Sequence, residues 1–550
     1  MTRALKLSRS QMLRTNAAAQ AETSARLSLP GSAEEQAQQT SGAMAVPAQS
    51  RLSGWRKDDN VLPLIAQLCE ALRREKILYC HWKSNWQIER WLTGEGDLDL
   101  LIDRADADRF EQVIHSLGFK RARPSQDRQM PGVLDYYGLD DGSKKLIHLH
   151  VHYQLVLGHD LTKNFHLPIE QPYLASATLS GTLPLPSPEF ELIIFILRMN
   201  LKYAPGEVLG RVLLRRGAGG ASALERELNF LEARADRDKT HAVLARHLPF
   251  IEASFFETCV RALRADCPHW RRLAVKRQLE RRLVAQARRS LAADALLKVG
   301  RRFSRLIRER VCGQSTRKQL TRGGALIALV GGDGAGKTTS LKALHGWLSK
   351  KFVVRRFHIG KPPRALLTLA VIIALKISRL SKDERATEAN SAASDNGAAQ
   401  IFPGYLQLLR WVCTARDRYR LYVKARRFAS NGGIAVCDRY PVAQLRLMDG
   451  PKIARAVGSV RRNSFVRLLL AAEARYYERI LPPDLLIVLR VDPEVAVRRK
   501  TDENENHVRT RSRELWKQDW RGTPRAHVVD SGRLREEVIA DLQSIVWNKL

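Results

Sequence analysis

Leu326-Ile-Ala-Leu-Val-Gly-Gly-Asp-Gly-Ala-Gly-Lys-Thr-Thr339 is an apolar run that breaks directly into Gly331-x-x-x-x-Gly336-Lys337-Thr338. That is the pattern of a strand, a phosphate-binding loop and a helix. The glycines let the backbone curl so that the amides of Asp333 to Thr338 point inward at phosphate oxygens, helped by the N-terminus of the following helix. Lys337 can then bridge the β- and γ-phosphates, and the Thr338 hydroxyl can ligate Mg²⁺. Leu341, Leu344, Trp347 and Leu348 keep helical spacing after the loop, which gives the motif its proper context. Gly331, Asp333, Gly334, Ala335, Gly336, Lys337, Thr338 and Thr339 are thus the candidate triphosphate cradle.

The rest of the chain must hold more than this one unit. At 550 residues it is too long for a single core, so two or three domains are expected. The 92 Lys and Arg outnumber the 57 Asp and Glu, for a net charge of +35. This favours polyanionic partners (nucleotides, nucleic acid or an acidic membrane surface) without choosing among them. The seven cysteines include no C-x-x-C and no zinc spacing, and read as reduced thiols of a cytoplasmic protein. The N-terminus carries basic residues but no apolar core of a secretory signal. The longest apolar run, Ala365 to Leu375, is far short of the ~20 residues that span a bilayer. It reads as a buried helix or, second, as a segment lying against a membrane between Arg364 and Lys376.

Composition divides the chain. Residues 1–55 are rich in Ala, Ser, Gln and Thr and read as a disordered tail. Residues 56–205 mix patterns: helix at Val61 to Leu72 and Phe110 to Leu117, strand at Leu98 to Ile102 and Lys145 to Leu155. Residues 206–322 read mostly as helix, and 271–322 carries 17 Lys and Arg against 3 acids. A solvated helical face joining two domains accounts for that charge, and contact with nucleic acid or anionic lipid is the alternative. Residues 323–550 form the last unit, interrupted by a Ser/Asn/Ala-rich stretch at 381–400 that reads as a mobile loop.

Two more segments sharpen the C-terminal unit. Asn431-Gly-Gly-Ile-Ala-Val-Cys-Asp-Arg-Tyr-Pro441 is a short strand ending in Asp438-Arg439-Tyr440. Pro482-Pro-Asp-Leu-Leu-Ile-Val-Leu-Arg-Val-Asp-Pro493 is a second strand, closed by a turn and followed by the helix opening Glu494-Val-Ala-Val-Arg-Arg499. Open parallel sheets bind ligands at such C-terminal strand ends. With Gly332 to Thr339, these segments resemble the thymidylate kinase family of P-loop nucleoside monophosphate kinases over about 323–550. The resemblance implies an α/β domain with a parallel sheet flanked by helices. It also implies transfer of the ATP γ-phosphoryl group, assisted by Mg²⁺, to a nucleotide acceptor, with dTMP as family default, and a dimer. Asp438 would sit beside the metal and Arg439 would point at the acceptor phosphate. Arg418 matches the acceptor-binding arginine, with Arg416 as the alternative register. Some relatives carry a catalytic arginine inside the loop, where this chain has Gly334. Others supply it from a lid, for which Arg509, Arg511 and Arg513 are the candidates, Arg511 first.

The chain departs from that family in its acceptor segments. Phe357-His-Ile-Gly-Lys-Pro-Pro363 stands where an Arg-Glu-Pro-Gly segment is usual, and Pro441-Val-Ala-Gln then Met448-Asp-Gly-Pro451 where a Ser…Ala-Tyr-Gln segment is usual.

In the N-terminal unit, Gly94-Glu-Gly-Asp97-Leu-Asp99 places two carboxylates on one face of a strand. With Lys83-Ser84 upstream, it resembles the nucleotidyltransferase-like family related to polymerase β, which implies Mg²⁺ held by Asp97 and Asp99. Here Lys83 replaces the glycine of Gly-Ser, and His148 of His148-Leu-His150-Val-His152 stands where a third carboxylate is expected. The three histidines share one strand face and read either as a transition-metal site or as a polar edge. Nucleotidyl transfer and a fold kept for binding both remain open for this unit. The expectation for the whole is a two-headed ATP- and Mg²⁺-dependent phosphotransferase. An ATP-dependent switch acting on nucleic acid or membrane, and nucleotidyl transfer by the N-terminal head, are the rivals.

Overall fold

The structure is a computed structural model, and it describes residues 61–204, 219–310, 317–386, 403–442, 445, 450–457, 463–501, 504–523 and 525–550. The expected disordered tail, 1–55, and most of the 381–400 stretch lie outside these. The chain is α/β with parallel strand pairing, as expected, and among the described residues no helix is long and apolar enough to cross a membrane.

In the N-terminal region the strands are β1 (Tyr79–His81), β2 (Asp97–Ile102), β3 (Lys120–Arg123), β4 (Val133–Leu139) and β5 (Leu146–His152). Two small hairpins follow, β6 (Leu155–Leu157) with β7 (Phe165–Leu167) and β8 (Thr178–Ser180) with β9 (Leu183–Leu185). The strand expected to run to Leu155 stops at His152, and Leu155 begins the first hairpin. A sixth strand, β10 (Gln319–Leu320), completes the main sheet in the order β1-β2-β5-β4-β3-β10. Strand alternation sorts β2: Leu98, Leu100 and Ile102 enter a core beneath the helices Pro63–Arg74 and Ala107–Ser116, while Asp97 and Asp99 face the other way.

The helical segment is largely a packed bundle. Leu228, Leu244, Leu279 and Leu283 share one core with β6, β7 and the helix Pro188–Lys202, so these helices close over the N-terminal sheet. Its end differs from the helical expectation, because Gln319–Leu320 extends the N-terminal sheet against Ala122 and Arg123.

The C-terminal region is a five-stranded parallel sheet. Its strands are β11 (Ala325–Gly331), β12 (Val354–His358), β13 (Ile434–Asp438), β14 (Leu485–Arg490) and β15 (Ala526–Asp530), in the order β12-β13-β11-β14-β15. β11 is buried along its whole length, as a strand covered on both faces should be. Ile327 and Leu329 face the helices Lys337–Leu348 and Arg535–Lys549, while Leu326 and Ala328 face the helix Tyr405–Ser430. Asp484 ties the sheet together, accepting from Leu326 N at 2.8 Å and from Arg426 Nη1 at 2.7 and 2.8 Å. Asp492 caps the helix Pro493–Arg499 through Glu494 N at 2.9 Å, with Pro493 at its first turn.

The apolar run 365–375 corrects the expectation of a buried helix. It opens the helix Leu366–Ala386, in which Thr368, Val371 and Leu375 are buried while Leu366 is 85% and Ile373 57% exposed. Among the described residues its buried apolar side chains pack against the Tyr405–Ser430 helix, on one side only.

Candidate functional site

The loop after β11 takes the conformation its glycines permit. Gly334 and Gly336 have φ of +79° and +74°, where a side chain would be strained. A Cβ on Gly334 would also lie 2.7 Å from the Ala496 carbonyl oxygen, and one on Gly332 2.8 Å from Ser512 Oγ. The helices Pro493–Arg499 and Glu505–Lys517 therefore press on the loop from outside, and no arginine fits at Gly334. Thr338 and Thr339 are exposed. Lys337 Nζ folds over the loop and donates to the carbonyls of Gly331 at 2.9 Å and Gly332 at 2.6 Å.

The three arginines of the Glu505–Lys517 helix separate clearly. Arg511 Nη1 donates to Asp333 Oδ2 at 2.8 Å, inside the loop. Arg509 instead grips Glu494 at 3.0 and 3.1 Å, and Arg513 lies 3.9 Å from the same carboxylate. Burial pushes the Asp333 carboxyl upward, but the Arg511 hydrogen bond and the Lys337 charge outweigh it and hold it below the usual carboxylate range.

β13 places Asp438 opposite Leu329 of β11 and His358 of β12, at the C-terminal edge of the sheet. Its Oδ1 is buried without a hydrogen-bond partner among the described residues. Arg439 follows with φ of +54°, a strained conformation for a branched-out side chain and a mark of sites where direction matters more than stability. It turns into a cleft of about 470 Å³ lined by Lys361, Arg364, Arg410, Arg418 and Lys452, with Trp411 as an aromatic wall. The two carboxylates there accept hydrogen bonds, although Asp417 Oδ1 is buried without a hydrogen-bond partner among the described residues. Asp417 accepts from Ala365 N at 3.1 Å and Thr368 Oγ1 at 2.6 Å, and Glu473 accepts from Ile453 N at 2.9 Å. Arg418 is buried and fixed by Ile359 O at 3.2 Å, Gly360 O at 2.9 Å and Tyr477 OH at 2.5 Å. Arg418, and not Arg416, is the one of the two that lines the cleft. The altered segment Phe357 to Pro363 still serves it, through the Ile359 and Gly360 carbonyls and through Lys361. Of the other altered segment, Ala443, Gln444 and 446–449 lie outside the described residues.

Behind the loop, a second cleft of about 340 Å³ runs from Gly334 and Gly336 to Arg499, Arg533, Arg535 and Val538. The sequence reading missed it. The turn Asp530-Ser-Gly532 after the last strand was the available signal.

In the N-terminal sheet, Asp97 and Asp99 do share a face with His148, His150 and His152. Ser84 makes a left-handed turn, with φ of +59°, even though Lys83 precedes it. Asp99 Oδ1 lies 2.7 Å from Lys83 Nζ and 2.8 Å from His150 Nδ1, which in turn is 3.3 Å from His152 Nε2. Ligand atoms of Asp99, His150 and His152 all fall within 4.8 Å of one another, an N, N, O set of the kind that suits a transition metal, though Lys83 shares it. Burial pushes His150 and His152 down, leaving neutral rings. Burial raises Asp99, but the Lys83 charge and the histidine hydrogen bonds bring it well below its ordinary value.

A third carboxylate exists where the sequence reading had only His148. Asp135, on β4, lies 2.8 Å from His148 Nε2 and 2.8 Å from Lys318 Nζ. The alternation Leu134-Asp-Tyr-Tyr137 could have revealed it. Asp97 lies 2.6 Å from His148 Nδ1 and 3.7 Å from Lys351 Nζ. These contacts hold its carboxyl down to about 2 against a burial effect in the other direction.

No protein-family model matches the chain, and no curated protein matches its sequence. The residues present fit Mg²⁺ at the C-terminal site, where Thr338 is exposed and Asp438 Oδ1 lacks a hydrogen-bond partner among the described residues. At the N-terminal site every carboxylate already has a lysine within 4 Å.

Proposed function

We propose that this chain is an ATP- and Mg²⁺-dependent phosphotransferase whose C-terminal region acts on a phosphorylated acceptor. A nucleoside monophosphate is the acceptor class, with dTMP as family default. The observation that carries this reading is the position of Arg439. It lines the cationic cleft beside β13, and its charge also acts on Asp333 in the phosphate loop, so donor and acceptor phosphates would meet there.

Phosphoryl transfer needs two anionic groups brought in line with their charge neutralised. Bound Mg²⁺, held by Thr338 and beside Asp438, supplies part of that neutralisation. The loop amides hold the β-phosphate, and Lys337 leaves the Gly331 and Gly332 carbonyls for the β- and γ-phosphates. Arg418, fixed by its three partners, and Arg439 hold the acceptor phosphate. Its oxygen forms a bond to the γ-phosphorus as the bond to the β,γ-bridging oxygen breaks, and ADP departs. Arg511 exchanges Asp333 for the transferring group. Arg499 and Arg535 flank the cleft for the donor nucleoside.

γ-Labelled ATP offered with a panel of nucleoside monophosphates and phosphosugars tests this. Label should appear in one acceptor class and vanish with Lys337→Ala. ADP formation with no labelled acceptor would end the transferase reading. It would favour a nucleotide-driven switch acting at an anionic membrane surface. The exposed Leu366, Leu367, Ile373 and Ile377 beside Arg364 and Lys376 are the observation behind that second reading.

A further inference from the structure

A cleft of about 1070 Å³ opens over the N-terminal sheet and not over the phosphate loop. Its cations are Arg121, Arg123 and Arg128 around β3, Lys163 before β7, and Arg289 and Arg305 from the basic helical segment. Arg121 has Glu111 at 3.4 Å, and the two carboxylates that line the cleft are engaged by other lysines. Asp135 is taken by Lys318 at 2.8 Å and Asp160 by Lys202 at 2.8 Å, and neither lysine lines the cleft.

Among the described residues, Lys163 makes no ion pair and one buried nitrogen of Arg289 has no hydrogen-bond partner. Lys163 feels Lys83 and Lys202 as like charges. Each of those has a carboxylate of its own, Asp99 and Asp160, whereas Lys163 has none within hydrogen-bonding distance among the described residues. Its backbone is strained, with φ of +42°. Arg289 Nη1 is buried with no hydrogen-bond partner. The two are carried on segments pinned together: Asn164 Nδ2 donates to Arg289 O at 2.9 Å, and Arg288 N donates to Asn164 O at 2.7 Å. A buried guanidinium nitrogen left unpaired beside a crowded ammonium group is costly unless an anion completes them.

We infer that this cleft binds a phosphorylated small molecule without a metal ion, its phosphate end held by Lys163 and Arg289 and its uncharged body resting on Met130, Leu134 and Leu161. The lysines stand where a metal-dependent site would keep its carboxylates free. Lys83, Lys318 and Lys351 neutralise Asp99, Asp135 and Asp97, so a divalent cation would have to displace an ammonium group to enter. The large volume and separate apolar wall call for more than orthophosphate. The Arg-rich rim suits phosphate recognition by forked hydrogen bonds.

The test uses the full chain carrying Lys337→Ala, which removes the phosphate loop as a competing site and keeps this inference separate from the transferase reading. Inorganic pyrophosphate titrated calorimetrically in EDTA should bind with one site per chain. Lys163→Met and Arg289→Met should each weaken binding at least tenfold with an unchanged melting temperature, and Lys163→Arg should restore most of it. Binding that appears only with Mg²⁺, binding indifferent to both Met variants, or no binding at all would overturn the proposal. A ten-nucleotide single strand that displaces pyrophosphate and binds far tighter would also overturn it, reassigning the cleft to nucleic acid.

Discussion

The phosphate loop and the Asp97–Asp99–Asp135 cluster are built from the same kinds of charged side chain arranged in opposite senses. At the loop, Lys337 rests on backbone carbonyls that it can leave at small cost, and Asp438 keeps a buried oxygen unpartnered. At the cluster, each carboxylate has a lysine within 4 Å, and beyond it a buried nitrogen of Arg289 has no hydrogen-bond partner among the described residues. On the proposed reading, the first arrangement suits a metal-bound triphosphate and the second a bare anion. The difference shows that counting acidic residues on a strand says little until the position of each counter-charge is known.

The comparison breaks most visibly if the loop does not depend on its lid. Arg511→Ala should lower the rate of the transfer step about 10³-fold. Arg509→Ala and Arg513→Ala, which lose only contacts to Glu494, should change it less than about threefold. Single-turnover kinetics with all three variants checks this, and equal losses would remove the special place given to Arg511. Next comes the seam between the regions. Phe352 packs edge-on to Tyr137 at 4.9 Å and meets Trp547 at 6.0 Å, so Phe352→Ala should cost about 3–5 kcal/mol in urea unfolding.

A pH series sharpens the contrast further. Burial and the Lys83 and Lys202 charges push Lys163 down to about 8, against the opposing pull of Asp160 and Asp99. The ammonium form holds an anion, so pyrophosphate affinity should fall as pH rises through that value, by up to about tenfold between pH 7 and pH 9. The loss approaches that factor because a bound anion itself favours the charged lysine. An affinity that rises with pH would contradict the role given to Lys163. The smallest effect belongs to the exposed apolar face: Ile373→Ser should change stability by less than about 0.5 kcal/mol. If the membrane reading holds, the same variant should reduce flotation with anionic vesicles.

Much of the C-terminal frame was legible because its signals are local. A strand running into Gly331-x-x-x-x-Gly336-Lys337 needs no distant residue to be recognised, and β13 and β14 announced themselves as apolar runs between Gly, Asp and Pro. The shared face of Asp97, Asp99 and the three histidines followed from strand periodicity alone. What could not be read was partnership across the fold. Lys318 reaching Asp135, Lys351 reaching Asp97, and Glu473 binding the Ile453 amide join positions that no spacing rule connects. The run 365–375 misled for a related reason. Hydropathy reports what a side chain would prefer, and the number of neighbours the fold supplies decides whether that preference is met.

The stitching of the two sheets has a practical consequence. β10 lies just before the phosphate-loop strand yet pairs with Ala122 and Arg123, while Trp547, three residues from the last, donates to Gly118 O at 3.3 Å. Cutting the gene at residue 322 would therefore not yield two tidy pieces. One fragment would show a raw greasy wall at Tyr137 and Leu139, the other at Phe352 and Trp547, and both would clump in the test tube. Whatever each head does, it should be studied with the other still attached.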